Sequence, residues 1–426
     1  MRRHLAVLSP LALAAGLALP AHAAPEAKPD AKLLAAAEAA RPEQLKLLQE
    51  VVNLDSGTGD AAGGDKVAAV LAKRLEALGA KIETAPAEEA GLPANTVATL
   101  TGKGKGRILL IGHLDTVFGP GTAAKRPFHT DATKAYGPGV SDEKGGVVEG
   151  VTALKLLHDL KRDNYSKIVF LIETSEERGS PGTRRLIERL LKDADVEFNL
   201  EPGDSPDVLT VWRKGSATFH IKVHGRAAHA GVTPQDGRNA AVELIHQILA
   251  MSDLPRAGDG LTANLTVLRA GERANIIPDE AEAQINVRVR DAADFDKVEA
   301  KLRGDAAKIT VPDTTVEVYR EPAFPPLADN AATFALATKA KTIYGELGKT
   351  ITEGGNGGAS ESALAAAAGV PALDGLGPVG GGFHSDKEFL VLDTVTPRTY
   401  LLTRLILETG AHPPKPSASK PISPKP

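Results

Sequence analysis

Two apolar runs, each ending in polar side chains, most constrain how this chain folds. Residues 107–111 lead into Gly-His-Leu-Asp-Thr at 112–116, and residues 167–172 lead into Glu-Thr-Ser-Glu-Glu at 173–177. Short β-branched runs of this kind predict buried parallel strands. Open α/β sheets bind ligands at the carboxyl ends of their strands, so we expect both polar clusters at one sheet edge. An imidazole and several carboxylates meeting there favour a divalent metal site.

Length, charge and cysteine content narrow the class of protein. A chain of 426 residues is long for one hydrophobic core and predicts two domains. A formal net charge of -4 gives no reason to expect nucleic acid or an anionic membrane as a partner. The chain has no cysteine, which excludes thiolate metal ligands and a cysteine nucleophile. A bound metal must therefore be held by His, Asp and Glu.

The amino terminus has the pattern of a signal peptide. Basic residues at 1–4 precede an apolar run at 5–19 and the small-x-small site Ala21-His22-Ala23. The run is shorter than the roughly 20 residues that span a bilayer. We therefore expect residues 1–24 to be removed and the protein to be exported, to the periplasm or beyond.

The spacing of apolar residues predicts an α/β fold, with a mostly parallel sheet flanked by helices and an inserted α+β domain. The catalytic domain is expected over 25–213 and 322–411, the insertion with an antiparallel sheet over 214–321, and a disordered Pro- and Lys-rich tail over 412–426. In the larger domain the predicted helices are 30–55, 65–79, 145–160, 183–192 and 331–344, and the strands are 108–112, 167–172 and 196–200. In the insertion the predicted strands are 217–223, 262–269, 282–290 and 315–318, and the helices are 240–251 and 295–303.

Five residues at predicted strand ends or in loops are candidate metal ligands. They are His113, Asp142, Glu177, Glu201 and His384. Asp142 follows a glycine-rich turn and precedes a helix, where the dipole favours a carboxylate. Its two oxygens suit a bridge between two cations, each completed by one histidine and one further carboxylate.

The neighbouring acids Glu176 and Glu177 need different roles, because consecutive side chains diverge. We assign Glu177 to the metal and Glu176 to proton transfer as general base. Asp115, two residues after His113, is placed to orient that imidazole through its other nitrogen.

Five motifs in this order carry a resemblance to a known family. They are His-Leu-Asp-Thr-Val, Tyr-Gly-Pro-Gly-Val-Ser-Asp-Glu-Lys-Gly-Gly, Glu-Thr-Ser-Glu-Glu, Gly-Arg-Ala-Ala-His-Ala-Gly and Gly-Phe-His-Ser-Asp-Lys-Glu. Together they resemble the dinuclear zinc exopeptidases and deacylases, which include glutamate carboxypeptidase, aminoacylase and acetylornithine deacetylase. The likeness covers nearly the whole mature chain and is greatest to exported bacterial glutamate carboxypeptidases.

The resemblance implies a role for each matching residue. One zinc would be bound by His113, Asp142 and Glu201, and the second by Asp142, Glu177 and His384, with Glu176 as the base. The insertion would be a lid and dimerisation domain. His229 would reach the partner subunit's active site to stabilise an oxyanion. Substrate would be contacted by Asn275, Arg288, Gly357 and Gly358, with Arg288 suited to a terminal carboxylate. The two glycines belong to a glycine-rich loop expected at 354–358.

Three positions depart from the family pattern. Glu143 stands where a second aspartate is usual, and Glu361 lengthens the acid of a Gly-Gly-x-Ser-Asp loop. Glu321 occupies the position of an arginine in glutamate carboxypeptidases, with Arg320 one place earlier. The last change argues against a simple preference for a glutamate side chain.

The predicted activity is hydrolysis of an amide bond next to a free carboxylate, with release of a C-terminal amino acid. The substrate would be a small peptide or an N-acyl amino acid. An N-acyl amino acid deacylase or dipeptidase is an alternative, and a non-catalytic periplasmic binding protein is a remote one.

These site residues also have simpler interpretations. His113 could be a structural histidine, and Glu176 and Glu177 could form a solvated acidic turn. Asp142 could only cap its helix, while Glu201, His229 and His384 could be ordinary loop residues. Arg288 and Asn275 could decorate an exposed strand. We interpret His220, His224 and His246 as structural, without acidic partners in register, and the Gly-Lys-Gly-Lys-Gly segment at 102–106 as a turn.

Overall fold

The computed structural model describes residues 28–415. The predicted signal peptide lies outside these residues, as does the predicted tail from residue 416 onward. The helices are α1 Ala31–Val52, α2 Ala61–Glu76, α3 Thr122–Lys125, α4 Lys144–Asp159, α5 Arg184–Leu191, α6 Ala240–Ala250, α7 Ala293–Ala306, α8 Ala331–Gly345, α9 Ser362–Ala367 and α10 Leu392–Ala411. None of the helices between residues 28 and 415 has the length and apolar character needed to cross a membrane.

The strands alternate with these helices along most of the chain. They are β1 Lys81–Ala85, β2 Asn95–Thr101, β3 Arg107–His113, β4 His129–Thr130, β5 Lys134–Tyr136, β6 Lys167–Glu173, β7 Val196–Asn199, β8 Pro202–Gly203, β9 Val208–Arg213, β10 Gly215–His224, β11 Ala228–His229, β12 Thr262–Ala270, β13 Ile276–Ile277, β14 Glu280–Val289, β15 Thr315–Arg320, β16 Thr352–Asn356, β17 Ala372–Leu373, β18 Gly377–Gly381 and β19 Phe389–Val391.

A six-stranded sheet in the order β1-β2-β6-β3-β7-β17 forms the centre of the larger part. The strands β6, β3, β7 and β17 run parallel, and β1 and β2 add an antiparallel edge. β3 and β6 are buried almost throughout, as expected for strands covered by helices on both faces. The predicted α/β fold with a mostly parallel sheet is confirmed.

A second sheet is formed by the segment that separates, in sequence, the two parts of the larger fold. Its four strands, in the order β12-β14-β10-β15, are all antiparallel. Alternate residues of β10, such as Phe219 and Ile221, pack with α6 and α7 in an apolar cluster separate from those of the larger part. The other face carries polar side chains. The domain boundaries at 213 and 322 stay a prediction.

Two interpretations of local sequence were wrong. His220 and His224 have acidic partners, because neighbouring strands supply them. The ring nitrogens of His220 lie 2.9 Å from Glu282 and 2.8 Å from Glu321, and His224 lies 2.9 Å from Glu280. The glycine-rich segment expected to be a loop at 354–358 begins as β16, which pairs in parallel with β9.

Candidate metal centre

Register between β3 and β6 brings the two polar clusters together. His113, the last residue of β3, lies opposite Glu173, the last residue of β6. Glu176 and Glu177 follow in a short 3-10 turn, Glu176–Arg178. Both motifs therefore meet at the carboxyl edge of the central sheet.

Three loops at the same edge supply the remaining candidates. Asp142 lies two residues before α4, and Glu201 lies two residues beyond β7. His384 follows β18 with φ 59°, in the left-handed region that non-glycine residues seldom adopt. Such backbone conformations cluster at functional sites, and this one accompanies a ring that faces Asp142 and Glu177.

The five candidates form two groups that share Asp142. In the first group, His113 Nε2 lies 3.1 Å from Asp142 Oδ1 and 3.6 Å from Glu201 Oε1. In the second, His384 Nε2 lies 3.2 Å from Asp142 Oδ2 and 3.0 Å from Glu177 Oε2. Within each group the ligand atoms all lie within 4.8 Å of one another. Asp142 thus directs one oxygen to each group.

Asp115 acts on both motifs. Its backbone carbonyl oxygen lies 3.0 Å from His113 Nδ1, whereas its carboxylate is 3.5 Å from that nitrogen. The carboxylate instead accepts the backbone N–H of Glu176 at 3.1 Å and the hydroxyl of Thr58 at 2.6 Å. The backbone of Asp115 orients the ring, and its side chain holds the turn that carries Glu176.

Two acids without a predicted role hold the ligand-bearing backbone. Glu388 accepts the backbone N–H groups of Gly139, Ser141 and Asp142 at 2.9 to 3.0 Å. Glu143 accepts the N–H of His113 at 2.9 Å. Both lie inside the motifs that carry the resemblance, so the signal was present in the sequence, but their contacts required the tertiary structure.

Arg213 is a further residue that sequence reasoning missed. Its buried guanidinium donates to both oxygens of Asp374 at 2.7 and 2.8 Å and lies 3.4 Å from Glu201 Oε2. A fork of this kind fixes a carboxylate in direction as well as in charge. Arg213 therefore restrains Glu201.

Burial and crowding of acids set the protonation of the site. Burial raises the pKa of Glu176 well above its usual value, and it raises the pKa of Glu201 to about 7. Burial also opposes ionisation of Asp142, but hydrogen bonds from His113 and His384 outweigh it and hold the Asp142 pKa below its usual range. The same contacts, from Asp142 first and then from Glu177, raise the pKa of His384 to about 10. Carboxylates placed this closely oppose one another's ionisation, which adds to the effect of burial on Glu176 and Glu201.

A cavity of about 590 Å³ opens onto both groups. Its lining includes Glu176, and from the predicted substrate contacts it includes Arg288, Gly357 and Gly358. Arg288 donates to Asn286 Oδ1 at 2.9 Å and to the carbonyl oxygen of Gly357 at 3.3 Å. Asn286, which also lines the cavity, was not predicted.

The structure does not bring His229 and Asn275 to this cavity within one chain. Both are exposed, and they lie beside each other where Ala230 N–H donates to the carbonyl oxygen of Asn275. Glu361, which departs from the family pattern, is buried and accepts hydrogen bonds from Ser180 and Asn199. Glu321, in contrast, lines the cavity.

The donor set fits a pair of divalent cations of the zinc type. Each group offers one imidazole nitrogen and two carboxylates, which leaves a coordination position open for a reacting molecule. The cavity, the ligand pattern and the five motifs in order describe one known kind of fold. Residues 109–408 match the model of peptidase family M20/M25/M40. The chain belongs to this family.

Comparison with individual proteins agrees with the family assignment. Carboxypeptidase G2 of Pseudomonas sp. is 35% identical over 387 residues, which cover 90% of this chain and 93% of that protein. A tripeptidase structure from Staphylococcus aureus matches with a TM-score of 0.71 at 22% identity, over 87% of this chain and 98% of the other. The structure of a dinuclear metal-binding peptidase of family M20 from Bacillus subtilis matches with a TM-score of 0.62 at 17% identity, over 88% and 99% of the two chains. This family member is a metal-dependent hydrolase of peptide-type bonds.

Proposed function

We propose that this protein is an exported dizinc carboxypeptidase that cleaves the amide bond next to a free carboxylate. The observation that carries the proposal is the pair of donor groups sharing Asp142, beside Glu176, in a cavity that also contains Arg288. The similarity to Carboxypeptidase G2 supports release of a C-terminal amino acid. Residues 1–24 would direct export and be removed. The mass of the protein recovered from the periplasm tests this, and a mass that includes the intact amino terminus would contradict it.

The metal ligands would divide as two sets of three. His113, Asp142 and Glu201 would hold one zinc ion, and Asp142, Glu177 and His384 would hold the other. When bound, zinc supplies Lewis-acid polarisation of the scissile carbonyl and lowers the pKa of a water molecule. Asp115, Glu388 and Arg213 keep the ligand side chains in place before any substrate arrives.

Glu176 would carry the proton between the attacking water and the leaving nitrogen. Its carboxylate lines the cavity, and Oε2 lies 3.8 Å from His113 Nε2, beside the first donor group. The Asp115 carboxylate fixes its backbone. Because Glu176 is next to the ligand Glu177 yet points elsewhere, it stays available to accept and return a proton.

Arg288 would bind the free carboxylate of the substrate. It extends from β14 into the cavity and, within residues 28–415, has no carboxylate within ion-pair distance. A guanidinium presents a planar pair of donors that matches a carboxylate. Gly357 and Gly358 would leave room for the substrate backbone beside it.

We also propose that the protein works as a homodimer through the inserted domain. The outer face of α6 exposes Val242, Ile245 and Leu249, and the edge strand β12 exposes Leu265 and Leu268. Exposed apolar side chains and a free strand edge favour association of like with like. A second copy would bring His229 and Asn275 to the cavity, where His229 would support the developing oxyanion.

The decisive test is activity of the zinc-loaded protein and of its Glu176→Gln variant. Substrates are N-acyl amino acids, dipeptides and folate-like glutamates, with products identified by mass spectrometry. The wild type should release a C-terminal amino acid, and the deacylase and dipeptidase alternatives would appear as other preferred substrates in the same panel. The variant should lose at least about 100-fold in kcat while still binding two zinc ions. Unchanged kcat in the variant would refute the role of Glu176.

A further inference from the structure

The polar face of the second sheet continues into the cavity and ends there in an acid. Glu321 follows β15, and its backbone N–H donates to the carbonyl oxygen of Thr218 on β10 at 3.0 Å. Its side chain is 53% exposed and lines the same cavity as Arg288. The cavity therefore has a carboxylate on one wall and a guanidinium on another.

The carboxylate of Glu321 is fixed by a histidine between two acids. His220 Nε2 lies 2.8 Å from Glu321 Oε1, and His220 Nδ1 lies 2.9 Å from Glu282 Oε1. The ring is nearly buried and stacks on Tyr319 with centroids 4.4 Å apart. Even a fully protonated imidazole neutralises only one of the two carboxylates. Because His220 is shared between Glu282 and Glu321, it cannot fully satisfy the Glu321 carboxylate at the cavity wall.

Within residues 28–415, none of the arginines that line the cavity forms an ion pair with Glu321, although Arg184 lies near enough to attract its carboxylate. Among residues 28–415, His220 is the basic side chain within 4.0 Å of Glu321. Arg184 donates to the carbonyl oxygens of Gly179, Pro322 and Ala323. Arg213 is paired with Asp374 and Glu201. Glu321 thus has an oxygen available for a cation that enters the cavity.

The spacing of Glu321 and Arg288 matches an amino acid with a long side chain. β10 lies between the two residues. On one side of it, Ser216 pairs with Arg288 of β14, and on the other side, Thr218 accepts the backbone N–H of Glu321, which follows β15. With about 4.8 Å between strands and about 3.3 Å of rise per residue, their Cα atoms lie about 12 Å apart on one face. Both side chains reach inward from that face. An α-carboxylate at Arg288 and the end of an extended side chain near Glu321 can be satisfied together.

We propose that Glu321 is a specificity-determining residue that selects substrates whose C-terminal amino acid carries a cationic side chain, such as lysine, ornithine or arginine. The inference rests on the proposed function, with Arg288 binding the α-carboxylate. His220 and Glu282 act as positioning residues that hold the Glu321 carboxylate at the cavity wall.

The test compares zinc-loaded wild type with Glu321→Gln on matched substrates ending in lysine, norleucine or glutamate. The wild type should favour lysine over norleucine by about tenfold or more in kcat/KM, because a hydrogen bond between charged groups discriminates by about that factor. The variant should lose this preference and keep its norleucine activity. Glu317→Gln is the matched control, since Glu317 lies on the same face of β15 but outside the cavity.

A binding measurement separates this inference from the proposed function. Calorimetry with free lysine and norleucine on the zinc-loaded protein should show tighter lysine binding, lost in Glu321→Gln and retained in Glu317→Gln. Hydrolysis with equal or greater preference for norleucine or glutamate would overturn the inference and leave the proposed function intact. Lysine selectivity in binding without any hydrolysis would support Glu321 and count against the proposed function. Selectivity that survives Glu321→Gln would overturn the assignment of Glu321.

Discussion

Glu149 allows a test of how burial affects an ionisable side chain in this fold. It lies in α4 with its side chain fully buried, and within the described residues neither carboxylate oxygen has a hydrogen-bond partner. Burial raises the pKa of Glu149 well above its usual value, and attraction from Arg398 only partly opposes this. The group should therefore be protonated in the folded protein over part of the range in which it is ionised in the unfolded chain.

The sign of the pH effect follows from that difference. A carboxyl group with a raised folded pKa contributes its full stability below the unfolded pKa of about 4.3, and the contribution falls as pH rises to the folded pKa. The loss is at most about 1.4 kcal/mol per pH unit. Glu149→Gln removes the titration but keeps the shape. Its free energy of unfolding should therefore rise relative to the wild type across this window and level off above the folded pKa.

Urea unfolding at fixed zinc and protein concentrations, from about pH 5 to about pH 8, measures this difference. The single tryptophan, Trp212, gives a fluorescence signal, and far-ultraviolet circular dichroism gives a second one. The control Glu76→Gln removes an exposed carboxylate at the end of α2 and should follow the wild type at every pH. Parallel curves for Glu149→Gln and the wild type would refute the argument that Glu149 is buried as an acid.

Two further variants test the metal centre and the proposed dimer. Arg213→Met should weaken zinc binding about 10- to 100-fold in competition with a chelator, because Glu201 loses its restraint. The control Arg178→Met changes a cavity arginine that is paired with Glu89, and it should leave the zinc affinity unchanged. Equal affinities in the two variants would contradict the role of Arg213. Leu249→Asp should shift the sedimentation coefficient to that of a monomer, and it should lower kcat without loss of zinc. A sedimentation coefficient equal to that of the wild type would exclude α6 from the interface.

The residues that the sequence predicted correctly as neighbours are those whose position follows from local pattern. His113 and Glu177 lie just beyond apolar runs, and parallel strands carry such residues to one edge whatever the details of packing. Glycines mark the turn before Asp142 for the same local reason. Glu201 follows the predicted strand 196–200 in the same way, and His384 lies in the motif Gly-Phe-His-Ser-Asp-Lys-Glu.

The residues that sequence reasoning missed depend on contacts between distant segments. Arg213 meets Asp374 across 161 positions, and Glu388 meets Asp142 across 246. His220 finds Glu282 and Glu321 only because β14 and β15 flank β10. No local spacing encodes such pairs, so they followed only from the register of the sheet.

Secondary structure was missed where composition opposes the local conformation. Glycines at 354 and 355 weaken the signal for β16, which forms because β9 offers a parallel partner. Pro397 lies within α10, which would normally argue against a helix, yet packing against α4 and α8 stabilises it. In both cases tertiary pairing outweighed local propensity.

The acids around the cavity link the metal site to the stability of the whole fold. Asp142, Glu176, Glu177 and Glu201 lie close together and are largely withdrawn from water, so their mutual repulsion opposes folding of the metal-free chain. Cations that bind only the folded arrangement offset that repulsion and stabilise the fold in proportion to the logarithm of their concentration over Kd. A divalent metal bound by this cluster would therefore help to hold together the two halves of the catalytic fold, before and after the inserted domain.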